Sequence, residues 1–203
     1  MDDLIRIARP VDVEAIVTVL SAAFVDDPVM QWAFDDEVRP RRLGALWRFM
    51  AGEGYVPKGT STVVGRGDAR GVDAAALWLG PGVELGGEDF WASRSELFSE
   101  GLEGDVERVG VMSELMHAVH PTEPHWSLLA IGVDPVRHGS GFGSALLAHT
   151  LARADDERAP AYLEATSARS RALYERFGFA VVEELRLDDG PSMWAMWREP
   201  AAS

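Results

Sequence analysis

The chain has 203 residues, 47% of them hydrophobic and 26% charged, which is enough for one sizeable core and too apolar for a disordered tail. Nineteen Lys and Arg against 33 Asp and Glu leave a formal charge of −14, which disfavours nucleic-acid binding, since that needs a net basic footprint. The absence of cysteine excludes a disulfide framework, thiolate metal sites and a cysteine nucleophile.

Asp2 and Asp3 stand where an export signal carries positive charge, and no apolar run is long enough to span a bilayer. A cytoplasmic protein folded as a single domain over 1–203, with no membrane or nucleic-acid partner, is the resulting expectation. Residues 5–8 predict a short strand. Asp12 then precedes an amphipathic helix carrying Val13, Ile16, Val17, Leu20 and Phe24, which the Asp-Asp-Pro at 26–28 ends. Residues 39–55 predict a second helix with Leu43, Leu46, Trp47 and Met50 on one stripe. Two strands at 61–65 and 73–79, separated by the turn-rich GRGDARG, predict a hairpin. From 88 to 117 the pattern is helical but interrupted by Gly101, Gly104 and Gly110, so two or three short helices over the sheet are expected. A strand at 125–133, a helix at 139–154, a strand at 161–166 and a helix at 168–177 follow, and that order requires parallel pairing through crossovers. A closing hairpin is predicted from 181–187 and 192–197 around the turn DDGP.

The most informative segment is GVDPVRHGSGFGSALLAHTL, residues 132–151. An apolar strand runs into Pro135 and a glycine-rich turn, after which Gly143, Leu146, Leu147, Thr150, Leu151 and Ala154 trace one face of a helix. Free backbone N–H groups at such a helix start form an anion site, and Gly139, Gly141 and Gly143 remove the β-carbons that would hold a phosphate away. His138, Ser140, Phe142 and Ser144 complete that cradle. The segment lacks the lysine of a P-loop, and its GxGxG spacing departs from the GxGxxG of a dinucleotide fold.

With the loop RHGSGFG after the strand IGVDP, YLEAT at 162–166 and LYERFGF at 173–179, the sequence resembles the GCN5-related N-acetyltransferase (GNAT) superfamily. Within it, the stretch from about 125 to 200, including GSALL and the closing MWAMWREP, resembles the puromycin N-acetyltransferases. The resemblance implies an α/β (α+β) fold: a mixed, twisted sheet of six or seven strands flanked by helices. It implies that the fourth and fifth strands splay around acetyl-CoA, the co-substrate, whose pantetheine pairs with the backbone of Ile131, Gly132 and Val133. The family places Gln or Arg where this chain has His138, and often Asn where it has Ser170. Ser170 is therefore a further expected cofactor contact. A monomer or a homodimer is implied.

Amine acetylation from a thioester needs a neutral amine, a stabilised oxyanion and a proton for the leaving thiolate. The resemblance makes Tyr174 of LYERFGF the general acid. Tyr174 also falls at C3 of a helix whose Gly178 and Phe179 complete a Schellman cap, a packing role that competes with catalysis. Glu164 shares a strand face with Tyr162 and Thr166, and a carboxylate within a sheet strand is either paired, here with one of the arginines, or at work as a base or an ammonium site. Glu114, His117 and His120 are spaced for one helix face, yet without HExxH the spacing falls short of a metal site, and no metal is expected. His120 and His125 are reserve bases. Ser167 reads as an N-cap, and some of Trp32, Trp47, Trp78, Trp91 and Trp126 are expected to line an acceptor pocket. The function expected is acetyl transfer to the primary amine of a small, cationic molecule by direct attack. The alternative is a non-catalytic module that binds or senses acyl-CoA.

Overall fold

The computed structural model describes residues 4–65, 71–86 and 103–201. Seven strands form one mixed sheet: β1 (Ile5–Ile7), β2 (Thr62–Val64), β3 (Ala74–Leu79), β4 (Trp126–Val133), β5 (Ala161–Ala165), β6 (Ala180–Arg186) and β7 (Ser192–Arg198). Their order is β1-β2-β3-β4-β5-β7-β6, and every neighbouring pair is antiparallel except β4 and β5. The helices are α1 (Val13–Phe24), α2 (Pro28–Ala33), α3 (Arg39–Phe49), α4 (Glu103–Val119), α5 (Phe142–Asp156) and α6 (Ala168–Glu175). Among the described residues no helix is long and apolar enough to cross a membrane.

Alternation along the strands divides the core into two layers. On one face, α5 buries Leu146, Leu147, Thr150, Leu151 and Ala154, the stripe read from the sequence, against Trp78, Trp126, Leu128, Ala161, Leu163 and Ala165. On the other, Ile16 and Leu20 of α1 and Leu43 and Trp47 of α3 pack with Ala75, Leu77 and Ala130. Gly132 permits the close approach of α1, since a β-carbon there would stand 2.8 Å from Leu20 Cδ2 and 2.9 Å from the Ala23 methyl.

Two expectations are corrected. The Asp-Asp-Pro at 26–28 ends α1 but also starts α2: the Asp27 carboxylate accepts from the N–H groups of Val29 (2.9 Å) and Met30 (3.2 Å), and Pro28 occupies the first helical position. The glycines at 104 and 110 do not break α4, which runs unbroken from Glu103 to Val119, while Gly101 lies outside the described residues. Val109, Met112, Leu115, Met116 and Val119 give α4 an apolar stripe on the α1/α3 layer, and its buried Asp105 lies 3.4 Å from the buried Arg42 of α3. That anchorage outweighs a helix penalty of about 1 kcal/mol per glycine. The second predicted helix is α3 continued by a π-helical turn at Met50–Tyr55.

Candidate active site

β4 and β5 pair over only three positions, Trp126 with Ala161, Ser127 with Tyr162 and Leu128 with Leu163. Beyond them β4 stays on β3 as far as Val133, β5 stays on β7, and the sheet opens between residues 129–133 and 164–165. Leu129 is the extra residue of a bulge against β3, since Leu77 faces Ala130 while Trp78 faces Leu128. Of the three β4 residues expected at the cofactor, Ile131 and Val133 point into the α5 layer, and Gly132 faces α1. Asp134 N–H bonds Asp73 C=O at 2.9 Å, so the antiparallel ladder turns the backbone groups of Gly132 toward β3 and those of Ile131 and Val133 toward the edge that β5 leaves without a strand partner.

The loop after β4 reaches α5 through two left-handed glycines, Gly139 and Gly141, each with φ +81°, where a side chain is strained although a β-carbon would meet nothing within 4 Å. The first bond of α5 runs from Ala145 N–H to Gly141 C=O at 2.9 Å, so the N–H groups of Phe142, Gly143 and Ser144 have no acceptor inside the helix. The Ser140 hydroxyl oxygen is buried without a hydrogen-bond partner among the described residues. His138 is exposed. Open space, free N–H groups and an orphaned hydroxyl suit an anion.

Tyr174 is 6% exposed and lies in the α5 layer with Leu163, Ala165 and Met196. The Schellman cap is present: Phe179 N–H bonds Tyr174 C=O at 3.2 Å, Gly178 N–H bonds Glu175 C=O at 3.1 Å, and Gly178 has φ +86°. Burial, assisted by the negative charge of Asp27, pushes the Tyr174 phenol well above its usual range and keeps it protonated. Sequence reasoning missed Asp27. Its second oxygen accepts from the Thr166 hydroxyl at 2.5 Å, which ties the α1–α2 junction to the end of β5, and burial raises its carboxyl pKa despite the three hydrogen bonds. Ser167 caps α6 as expected. The Ser170 hydroxyl, expected at the cofactor, closes that capping box by accepting from Ser167 N–H at 3.2 Å, and it donates to Ser167 C=O at 2.9 Å.

Glu164 occupies the opposite face of β5, at the first position past the last β4 pair. Tyr174 and Glu164 thus lie in different layers, and the open seam between β4 and β5 is where those layers can meet one molecule. The Glu164 side chain is 9% exposed, and the basic side chain within 4 Å of it among the described residues is not an arginine but the His120 imidazole, with Nδ1 at 3.9 Å. Rings of His120, His125, Tyr162 and Trp197 cluster around it, with centroids 4.9–5.6 Å apart. Burial and the Glu164 charge raise the pKa of the Tyr162 and Tyr55 hydroxyls. Of the tryptophans, Trp47, Trp78 and Trp126 are core, Trp32 is partly buried with its indole N–H on Asp188 C=O at 3.2 Å, and Trp91 lies outside the described residues. Among the described residues Glu114, His117 and His120 belong to no cluster of three metal-ligating side chains.

The chain matches the acetyltransferase (GNAT) family over residues 80–179. A solved structure of a histone acetyltransferase HPA2 and related acetyltransferase from Corynebacterium glutamicum is 30% identical, covers 98% of this chain and 97% of its own, and superposes with a TM-score of 0.72. The chain belongs to the GNAT family of acetyltransferases. An uncharacterized N-acetyltransferase of Schizosaccharomyces pombe is 26% identical over 191 residues, 87% of this chain and 74% of that protein. The polyamine N-acetyltransferase of Drosophila melanogaster, which forms N-acetylagmatine, shares the GNAT fold at 19% identity, with a TM-score of 0.64 over 96% of this chain and 98% of its own. As a GNAT enzyme, the protein is an N-acetyltransferase that takes its acetyl group from acetyl-CoA.

Proposed function

We propose that the acceptor is the primary amine of a small cationic molecule, which attacks the thioester directly while Glu164 removes its proton and Tyr174 protonates the departing thiolate. The Ser140 hydroxyl, the N–H groups of Phe142, Gly143 and Ser144 and the open backbone edge at Ile131 and Val133, with Gly132 between them, hold acetyl-CoA, with Gly139 and Gly141 keeping the mouth of the loop open and His138 at the rim. Acetyl-CoA supplies the activated acetyl group. The observation that carries this reading is the Glu164 carboxylate: almost buried at the head of the seam, and facing no arginine or lysine among the described residues. An unneutralised carboxylate in that setting favours an incoming ammonium and can take up its proton. The chain's charge of −14 acts in the same direction over longer range. That a GNAT neighbour is named for acetylating a polyamine accords with a cationic acceptor.

Glu164→Gln tests the reading. The variant should lose about 10²- to 10⁴-fold in kcat/KM below the amine's own pKa and recover as the pH rises, because an amine already neutral needs no base. A Gln variant with wild-type activity throughout would remove Glu164 from the chemistry.

A further inference from the structure

We infer that His120 is the residue through which Glu164 returns its proton to solvent, so that the two side chains form a two-step exit from the seam. This rests on the assignment of Glu164 as base. A carboxylate that takes a proton in every turnover must hand it on before the next, and Glu164, 9% exposed, has little direct access to water. His120 is 43% exposed, and its Nδ1 stands 3.9 Å from Glu164 Oε1. That gap is longer than a hydrogen bond, and a displacement of under about 1 Å or one intervening water closes it. One group at the base and one at the surface are the two ends such an exit needs.

The protons balance at each step. The acceptor ammonium gives one proton to Glu164 Oε1 and becomes the nucleophilic amine. The resulting carboxylic acid passes that proton to Nδ1 of neutral His120 and is again a carboxylate. The imidazolium then loses one proton to water or buffer, and no electrons change hands.

The surroundings favour His120 over His125. His120 follows the last residue of α4, with its N–H on His117 C=O at 3.4 Å, and its ring meets Tyr162 edge-on at 4.9 Å and His125 at 5.1 Å. Those rings fix its orientation while leaving it open to solvent. His125 is 8% exposed, and its Nδ1, facing the Glu123 carbonyl at 2.7 Å, must carry the hydrogen. Its other nitrogen is buried without a partner among the described residues, and burial lowers its pKa. His125 therefore stays neutral and serves as a wall. Besides these two imidazoles, the ionisable groups around the pair are the Tyr162 and Tyr55 hydroxyls, which remain protonated, Glu183 of β6, level with Glu164 across Ala195 of β7, and Glu123, whose charge acts on His125.

The test compares wild type with His120→Gln and His120→Ala, each assayed with acetyl-CoA and the best amine in weak buffer. Both variants should lose at least about 10²-fold in kcat and regain it, saturably, on addition of imidazole, to which the wild type is indifferent. Acetyl-CoA affinity by calorimetry and the melting temperature should not change. A merely structural role for His120 would not respond to imidazole. Wild-type turnover in weak buffer, or a loss that no buffer restores in folded protein that still binds acetyl-CoA, overturns the inference. If Glu164→Gln is impaired while either of those results is found, the exit alone falls. If Glu164→Gln is fully active, the underlying assignment of the base falls with it.

Discussion

Replacing Tyr174 by Phe removes one oxygen from a ring that is 6% exposed and packed edge-on against Phe179 at 6.0 Å. Neither the packing nor the Schellman hydrogen bond from Phe179 N–H to Tyr174 C=O uses the hydroxyl. The fold should therefore change by no more than about 1 kcal/mol, which in a chain of this size shifts Tm by about 2–4 °C. A general acid contributes about 10²- to 10⁴-fold, or about 2.7–5.4 kcal/mol of barrier at 1.36 kcal/mol per decade. The kinetic effect is thus well separated from the structural one. Because the chain has no cysteine, a thiol reagent reports only the CoA released, and turnover can be followed continuously. The expected result is a fall in kcat with unchanged acetyl-CoA affinity. That fall should be the same from pH 6 to 9, since burial and Asp27 hold the phenol protonated across that range. A Phe variant that turns over at the wild-type rate would refute the argument and leave Tyr174 as a helix cap.

Gly141→Val should abolish acetyl-CoA binding by calorimetry, because it places a branched side chain at φ +81° in the open mouth of the loop, whereas Ser140→Ala should weaken binding far less; equal losses would indicate misfolding instead of a blocked cradle. Gly132→Ala should act through stability: a methyl 2.8 Å from Leu20 and 2.9 Å from Ala23 forces α1 off β4 at about 1–3 kcal/mol, a Tm loss of roughly 2–12 °C, and an unchanged Tm would refute the close approach. Arg6, bonded to both Asp12 oxygens at 2.6 and 2.7 Å, holds the Asp12 carboxyl below the usual carboxylate range, so its contribution to stability is present above about pH 4 and is lost as pH falls through the depressed value. Asp12→Asn should accordingly lower Tm at pH 7 by an amount that shrinks toward pH 3, and a deficit independent of pH would contradict the linkage.

The elements legible in the sequence were those with a strong period. The α5 stripe and the closing hairpin follow from apolar spacing over five or more residues, as does the division of β5 between Glu164 and Tyr162 on one face and Leu163 and Ala165 on the other, and the parallel pairing of β4 with β5 follows from the strand-helix-strand order. Helix α2 was not legible because six residues are too few to show a period, and Asp27-Pro28, which marks its start, also serves as a stop for α1. The continuity of α4 through two glycines depends on Arg42, far off in sequence, which no local propensity encodes. The loop glycines and Tyr174 were each readable within a short contiguous motif, RHGSGFG and LYERFGF. Pairings across the fold were not: Asp27 meets Thr166 139 residues away, and His120 meets Glu164 only because α4 ends beside β5.

The unneutralised Glu164 carboxylate at the seam is tested most directly by comparing kcat/KM for two primary amines of matched size, one carrying a second cationic group and one a carboxylate. At an effective dielectric near 20, a charge about 4 Å from Glu164 interacts by about 4 kcal/mol before desolvation, enough to leave at least a tenfold preference. The cationic amine should be preferred by that margin at low ionic strength, and the gap should narrow as salt is added. Equal rates for the two amines, or a preference for the anionic one at any ionic strength, would contradict a cationic acceptor held by Glu164.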